Sequence, residues 1–216
     1  MRVVIAGGHG KIAMIIQRLL AEAGHEAVGI IRNPEQAPDL LLVDGIPLLV
    51  DLEHTDVETL ATDLVGVDAV VFAAGGGPGS GAARKLTVDR DGAILLADAA
   101  ERAGVRRYVM ISARATDDYE ADSDDVFQVY LRAKSEADAA LRSRDLDWTI
   151  IRPGGLTDEA ATGSVKVAQD TGEGTIPRAD VAALVVESLI GGHAIRQQFE
   201  VISGDEPIAD SLRRLG

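Results

Sequence analysis

The chain has 216 residues, of which 46% are apolar and 26% are charged. This length and composition predict one domain with a buried core and exclude a disordered chain. The formal net charge of −14 disfavours general binding to nucleic acid or anionic lipid, because an acidic surface repels both. The absence of cysteine excludes disulfides, thiol catalysis and thiolate metal sites.

No apolar run reaches the ~20 residues that a membrane-spanning helix requires. No basic segment or cleavage site precedes the strand pattern that begins at Arg2, so no signal peptide is predicted. We therefore expect a cytoplasmic protein whose partner is a small-molecule substrate, without nucleic acid or membrane. A monomer and a homodimer are both compatible with the sequence.

Short β-branched runs alternate with longer Ala- and Leu-rich segments as far as Ile151. The predicted strands are Arg2–Ala6, Ala27–Ile31, Ile46–Val50, Ala69–Ala73, Tyr108–Ser112 and Trp148–Ile151. The predicted helices are Lys11–Gly24, Asp56–Val65, a helix that follows the glycine-rich stretch Gly75–Gly81 and runs to about Ala103, and Val126–Arg144. Continuous apolar strands alternating with helices indicate a parallel sheet covered on both faces. Right-handed crossovers make this a doubly wound α/β fold.

The alternation ends after Arg152. Residues 156–176 are polar and irregular apart from a strand-like piece at Val165–Ala168. A helix at about Ala179–Ile190 and an apolar run at Phe199–Ile202 follow. We predict one domain over residues 1–216, with a small substrate lobe at about residues 154–176 to which the C-terminal strand belongs.

Six of the nine residues from Asp117 to Asp125 are acidic. A solvated loop is the simpler interpretation. Calcium binding is the alternative, but no glycine or terminal glutamate stands where an EF-hand requires it. The four histidines, His9, His25, His54 and His193, lack metal-ligand spacing, so no metal site is predicted.

A glycine turn, Gly7-Gly8-His9-Gly10, follows the first predicted strand and opens the first predicted helix. In the pattern G-x-x-G-x-x-A, Gly7 permits a tight turn, Gly10 lets the backbone approach a pyrophosphate, and Ala13 allows close helix–strand packing. The helix N-terminus offers unpaired N–H groups to the phosphates. The alternative is a glycine turn that binds nothing. The predicted cofactor contacts here come from Gly7, His9, Gly10, Lys11 and Ile12.

Three further strand ends fit a dinucleotide. Arg32 and Asn33 follow the second strand, where NAD-specific sites carry an acidic residue, so a cation here favours the 2′-phosphate of NADP over NAD. The alternative for Arg32 is an exposed side chain at a strand end. The other two ends are Asp51-Leu52, suited to adenine unless Asp51 is only an exposed cap, and Ala73-Ala74-Gly75, whose small residues suit a ribose.

Tyr130 and Lys134 lie in a predicted helix at spacing i, i+4, which places both side chains on one face. A nearby ammonium lowers the pKa of a phenol and lets tyrosine act as an acid or base. The same lysine can bind the nicotinamide ribose. The alternative for Tyr130 is a tyrosine that packs beside the cofactor cleft.

Taken together, these motifs resemble the short-chain dehydrogenase/reductase superfamily, and more narrowly its atypical NAD(P)-binding branch related to extended epimerases and dehydratases. The resemblance spans almost the whole chain. The residues that carry it are Gly7–Ala13, Arg32-Asn33, Asp51-Leu52, Ala73–Gly75, Val88–Ala93, Tyr130–Lys134, Leu146–Gly154 and Arg178–Ala182. It implies a Rossmann fold, bound NADP and a small C-terminal substrate lobe, and it does not supply a substrate.

The resemblance also implies roles for single residues. Tyr130 is the general acid/base, Lys134 is its electrostatic partner, and Asp89 stands where many relatives have asparagine. Pro153 borders the nicotinamide. One position departs from the family pattern: reductive relatives commonly show two hydroxyl residues after the fifth strand, whereas this chain has Ser112 followed by an alanine, so Ser112 is the remaining candidate for the catalytic hydroxyl.

Two functions agree with these observations. The first is an NADP-dependent oxidoreductase or epimerase-like enzyme that acts on a small carbonyl or hydroxyl compound. The second is a catalytically weak, NAD(P)-binding redox-sensing regulatory protein. The intact pair of Tyr130 and Lys134 favours the enzyme, and the missing second hydroxyl favours the sensor.

Overall fold

A computed structural model of the chain describes residues 1–77 and 79–216. Pro78, inside the predicted stretch Gly75–Gly81, lies outside the described residues. The strands are β1 (Arg2–Ala6), β2 (Glu26–Ile31), β3 (Ile46–Leu49), β4 (Ala69–Phe72), β5 (Arg107–Ile111), β6 (Asp147–Pro153), β7 (Gly155–Thr157), β8 (Ser164–Ala168), β9 (Thr175–Pro177), β10 (Gln197–Ser203) and β11 (Glu206–Pro207).

The helices follow the predicted order. They are α1 (Lys11–Glu22), a 3₁₀ turn (Pro34–Gln36), α2 (Ala37–Leu41), α3 (Val57–Asp63), α4 (Ala82–Arg84), a π-helical segment (Lys85–Asp91), α5 (Gly92–Ala103), α6 (Val126–Arg142), α7 (Arg178–Ile190) and α8 (Ile208–Arg213).

The central sheet has the strand order β11-β8-β10-β6-β5-β4-β1-β2-β3. The strands from β10 to β3 in this order are all parallel, which confirms the doubly wound α/β fold. The reversal of strand order lies between β1 and β4. In such sheets, ligands bind outside the carboxyl ends of the strands at this reversal.

The edge of the sheet formed by β8 and β11 is not parallel, unlike the predicted sheet. β8 pairs antiparallel with β10 and with β11, so the sheet is parallel only in part. The predicted C-terminal strand is β10, which pairs with β6 of the central sheet and also with β8 from the predicted lobe. Within the segment predicted as irregular, β7 and β9 form a separate parallel pair.

Both faces of the sheet are buried, which is why its strands consist of continuous apolar runs. Along β1, Val3 and Ile5 belong to the core under α1 and α7, whereas Val4 belongs to the core under α3, α5 and α6. Alternation within one strand thus supplies both layers.

The helix predicted after the glycine-rich stretch is interrupted by the π-helical segment Lys85–Asp91. Such wider turns are rare overall, but those that occur often lie at functional sites. In this chain the segment buries Val88 and Asp89 next to the end of β4. None of the helices in the described part of the chain has the length and apolar content of a membrane span.

Candidate functional site

The turn between β1 and α1 leaves no room for side chains at two of its glycines. A Cβ on Gly7 would lie 2.7 Å from Ala74 Cα, and a Cβ on Gly8 would lie 2.6 Å from Gly29 Cα. Gly7 also has φ +78°, in the region that favours glycine. Gly10 precedes α1, and its amide donates to the Gly7 carbonyl at 2.8 Å. The turn is therefore a bare backbone surface at the N-terminus of α1, which fits a pyrophosphate.

The polar side chains beside this turn are paired with carboxylates. Lys11 Nζ lies 2.5 Å from Asp158 Oδ2, and Arg178 Nη1 lies 2.6 Å from the other oxygen of that carboxylate. His9 Nε2 lies 2.7 Å from Asp39 Oδ2. Four of these five residues, all except Asp39, line a cleft of about 440 Å³. The structure thus leaves the backbone of His9, rather than its ring, for the predicted phosphate contact, and Ile12 is half-buried in the first turn of α1.

The end of β2 presents a cation, as the sequence predicts. The Arg32 side chain is 54% exposed, and its Nη1 lies 3.6 Å from Glu53 Oε2. The Asn33 side chain caps the 3₁₀ turn by accepting the Glu35 amide at 3.0 Å. Arg32 is therefore accessible to a ligand, whereas the Asn33 oxygen already has a backbone partner.

Asp51 lies two residues after β3, and its side chain stabilises the turn that follows. Its carboxylate accepts the amide of Glu53 at 3.0 Å and lies 2.9 Å from His54 Nδ1. Leu52 packs against the core under α3, α5 and α6, and a Cβ on Gly92 would lie 3.9 Å from Leu52 Cβ. These contacts match the capping interpretation of Asp51, and its contact with adenine stays a prediction.

The segment after β4 lies between the glycine turn and the π-helical segment. Ala73 continues the strand through its amide, which donates to the Ala6 carbonyl at 3.0 Å. A Cβ on Gly75 would lie 2.9 Å from Asp89 Oδ1, and the Gly76 amide donates to Asp89 Oδ2 at 2.9 Å. The close approach of Asp89 therefore leaves no room for a side chain at Gly75, and the contact of this segment with a ribose stays a prediction.

Lys134 and Asp89 form a buried ion pair. Lys134 Nζ lies 3.4 Å from Asp89 Oδ1, and the two side chains are 4% and 2% exposed. The ammonium also donates to the Ile111 carbonyl at 3.3 Å and lies 5.4 Å from the centre of the Phe72 ring. Lys134 thus joins α6 to the π-helical segment and to the end of β5, and its contact with the nicotinamide ribose stays a prediction.

Tyr130 shares a helix face with Lys134, as its spacing predicts, and the ammonium lies 6.0 Å from the phenol ring centre. Lys85 Nζ lies over the same ring at 5.3 Å. Burial raises the pKa of Tyr130, and this effect exceeds the lowering by Lys134. The net direction is opposite to the prediction, so the phenol is protonated at neutral pH, and its role as a general acid or base stays a prediction.

Ser112 is committed to a buried network. Its hydroxyl donates to Asp138 Oδ2 at 2.9 Å, and the guanidinium of Arg152 donates to the same oxygen at 2.8 Å. Burial raises the pKa of Asp138, whereas Arg152 and the serine hydroxyl act in the opposite direction. Ser112 therefore does not lie free beside the phenol, and its catalytic role stays a prediction.

The acidic segment Asp117–Asp125 is not wholly solvated. Both oxygens of Asp117 accept from Arg152, at 2.6 and 3.1 Å. The Arg152 guanidinium lowers the pKa of Asp117. Within residues 1–77 and 79–216, no cluster of three or more metal-ligating side chains occurs, so the calcium alternative has no support.

Pro153 is the last residue of β6. Its carbonyl accepts the Arg114 amide at 3.0 Å, and it pairs in register with Val201 of β10. The residue is buried, and the border with a nicotinamide that the resemblance implies stays a prediction.

Several site residues escape sequence reasoning. Gln17 is buried in α1, and its amide donates to the Gly8 carbonyl at 2.7 Å, which supports the glycine turn from below. Glu53 and Arg84 form an ion pair of 3.0 Å near Arg32. Gln17 could have been found as a polar residue on the apolar face of the first predicted helix. Glu53 and Arg84 are far apart in the sequence, so no local pattern indicates their contact.

The family model described as NAD(P)H-binding matches residues 7–190, which include the glycine turn, Lys134 and the whole of α7. The chain belongs to the NAD(P)H-binding family. The match covers most of the chain and agrees with the bare backbone of the glycine turn. NAD(P)H-binding proteins of this kind are Rossmann proteins of the oxidoreductase and epimerase type, and the family match supports a nicotinamide cofactor.

Relatives of the same length support the assignment to the NAD(P)H-binding family. The chain is 36% identical over 216 residues, and over the full length of both proteins, to the uncharacterized sugar epimerase YhfK of Bacillus subtilis. A solved structure from Bacillus halodurans, named for NAD-dependent epimerases/dehydratases, is 37% identical and superposes with a TM-score of 0.90 over 100% of both chains. The oxidoreductase ylbE of Lactococcus lactis is 29% identical with a TM-score of 0.87, covering 100% of this chain and 96% of that one.

The glycine turn of this NAD(P)H-binding protein provides a matched pair of variants. Gly7→Ala is expected to weaken NADPH binding by about tenfold or more, equivalent to about 1.4 kcal/mol, because the new Cβ meets the backbone of Ala74. Gly24→Ala is the control, since Gly24 has φ +77° and a Cβ there would have nothing within 4 Å. Calorimetric titration with NADPH measures the effect, and an equal loss of affinity in both variants would contradict it.

Proposed function

We propose that the protein is an NADP-dependent reductase of small carbonyl compounds in which Tyr130 donates the proton. The observation that carries the proposal is the position of Tyr130 on the same helix face as Lys134, which forms a buried ion pair with Asp89. Burial raises the pKa of this phenol, so it is protonated at neutral pH and can protonate an alkoxide that develops on the substrate.

The cofactor is held by main-chain groups and one cation in this proposal. The amides at the start of α1 bind the pyrophosphate, and Arg32 binds the 2′-phosphate. Asp51 and Leu52 border the adenine, and Ala73 to Gly75 border a ribose. When bound, the dihydronicotinamide supplies the hydride.

The residues of this chain supply the proton and the shape of the site. Tyr130 donates its phenol proton to the substrate oxygen. Lys134 stabilises the phenolate that remains, since its ammonium lowers the pKa of this phenol. Asp89 fixes the ammonium and, through the Gly76 amide, the segment after β4. The lobe between β6 and α7 is short, which favours a small organic carbonyl, flavin-like or quinone-like acceptor over a nucleotide sugar.

The test is turnover with a panel of aldehydes, ketones, quinones and flavins, followed as loss of dihydronicotinamide absorbance with NADPH and, separately, with NADH. We expect measurable reduction of at least one carbonyl or quinone and faster turnover with NADPH at subsaturating cofactor. Tight cofactor binding with no turnover across the panel would overturn the proposal.

A second candidate is a redox-sensing regulatory protein that binds the cofactor without efficient catalysis. The contact that favours it is the hydrogen bond from Ser112 to Asp138, because it commits the hydroxyl directly after β5 to a buried carboxylate. Under this alternative, NADPH and NADP⁺ differ in affinity or in their effect on protease sensitivity while the panel gives no turnover.

A further inference from the structure

Two arginines converge on one carboxylate oxygen beside the end of β2. Arg84 Nη2 lies 3.0 Å from Glu53 Oε2, and Arg32 Nη1 lies 3.6 Å from the same atom. The other oxygen of Glu53 accepts the Thr87 hydroxyl at 2.7 Å. The Glu53 and Arg84 side chains are 20% and 33% exposed, so this contact is partly shielded from water. Partly buried charge-assisted contacts are stronger than exposed ones.

The Arg84 guanidinium has donor capacity that Glu53 does not use. Its Nε is buried and has no hydrogen-bond acceptor among the described residues. Arginine presents its donors as a planar fork that matches the geometry of a phosphate. Because the Arg84 side chain is 33% exposed, guanidinium donors other than the buried Nε can reach an acceptor that a ligand supplies.

The position of the cluster matches the end of a dinucleotide. Arg32 directly follows β2, which is the strand beside β1 and its glycine turn. In dinucleotide folds the ribose hydroxyls of the adenosine lie at this strand end. Arg84 reaches the same place from α4, on the chain segment that follows β4. Asp51, the nearest other carboxylate, is engaged by His54.

We propose that Arg84 and Arg32 together form a phosphomonoester subsite for the 2′-phosphate of NADP, and that Glu53 is an internal anion that occupies this subsite when no phosphate is bound. The inference rests on the NADP preference proposed above and adds Arg84 and Glu53 to it. A phosphate carries up to two negative charges and three acceptor oxygens, so it displaces a carboxylate from two guanidinium groups. NADH has no phosphate there and leaves the contact with Glu53 in place.

The two residues therefore change cofactor selectivity in opposite directions. Arg84→Met is expected to weaken NADPH binding about tenfold or more and to leave NADH binding within about twofold, since one charge-assisted phosphate contact is lost. Glu53→Gln is expected to strengthen NADPH binding several-fold without a comparable change for NADH, because the competing anion is neutralised. Arg102→Met is the control, since that exposed arginine pairs with Glu58 outside the cluster.

The experiment is calorimetric titration of the four proteins with NADPH, NADH, 2′,5′-ADP and 5′-ADP at fixed ionic strength, with a melting temperature for each variant. A preference of the unmutated protein for NADH would overturn both the NADP proposal and this inference. A preference for NADPH that Arg84→Met leaves unchanged, or an equal loss for NADPH and NADH, would overturn the subsite alone. Should Arg84→Met fail to fold, Glu53→Gln decides, because unchanged NADPH affinity in that variant removes Glu53 as the internal anion.

Discussion

Tyr130→Phe is expected to lower carbonyl reduction at least ~100-fold, because general acid catalysis by a positioned side chain typically contributes about 10²–10⁴-fold. The affinity for NADPH is expected to stay within about twofold, since the change removes only the phenol oxygen. Turnover at saturating NADPH, measured beside calorimetric cofactor titration, separates the two effects. The control is Tyr108→Phe, whose hydroxyl donates to the Ala93 carbonyl at 3.1 Å within the core under α3, α5 and α6.

The pH profile gives an independent test of the same residue. The reaction needs the protonated phenol, and burial raises its pKa above the ordinary value of ~10. The Tyr130-dependent rate is therefore expected to stay level through neutral pH and to fall only under strongly alkaline conditions. Unchanged turnover in Tyr130→Phe, or a rate that rises with pH through the neutral range, would remove the tyrosine from this role.

Most of the fold could be predicted from the sequence because its signals are local. The apolar run at Arg2–Ala6 matches β1, and predicted helix starts at Lys11 and Val126 agree with α1 and α6. Two features could not be predicted. The antiparallel pairing of β8 depends on strands late in the chain. The π-helical segment contains the buried Asp89, whose partners Gly76 and Lys134 are distant in sequence.

The site could be predicted in its parts but not in its contacts. The spacing of Tyr130 and Lys134 fixes a shared helix face, and the glycine pattern fixes the turn. The partner of Lys134 is Asp89, which arrives from another helix, so no local pattern indicates it. The direction of the phenol pKa also depends on burial, which the sequence does not display. Glu53 and Arg84 meet for the same long-range reason.

Arg152→Met is expected to reduce the free energy of unfolding by about 3–5 kcal/mol at neutral pH, because it leaves the fully buried Asp138 carboxylate without its cation. The lost contact with Asp117 adds little, since that side chain is 60% exposed. Denaturant unfolding measures the change. Arg102→Met, which breaks the exposed pair with Glu58, is the control and is expected to leave the free energy of unfolding nearly unchanged.

The pH dependence of this variant follows from the raised pKa of Asp138. Without Arg152, the folded-state pKa of this carboxyl rises further above its unfolded value, so the folded protein binds a proton that the unfolded chain releases. The free energy of unfolding therefore falls as the pH rises from the unfolded-state pKa of Asp138 to its folded-state pKa. It is regained at mildly acidic pH, where the carboxyl is neutral. The double variant Arg152→Met with Asp138→Leu removes the stranded charge and is expected to recover most of the lost stability. A loss that is independent of pH, or a double variant no more stable than the single one, would show that packing of the Arg152 side chain, and not its charge, supports α6 against β6.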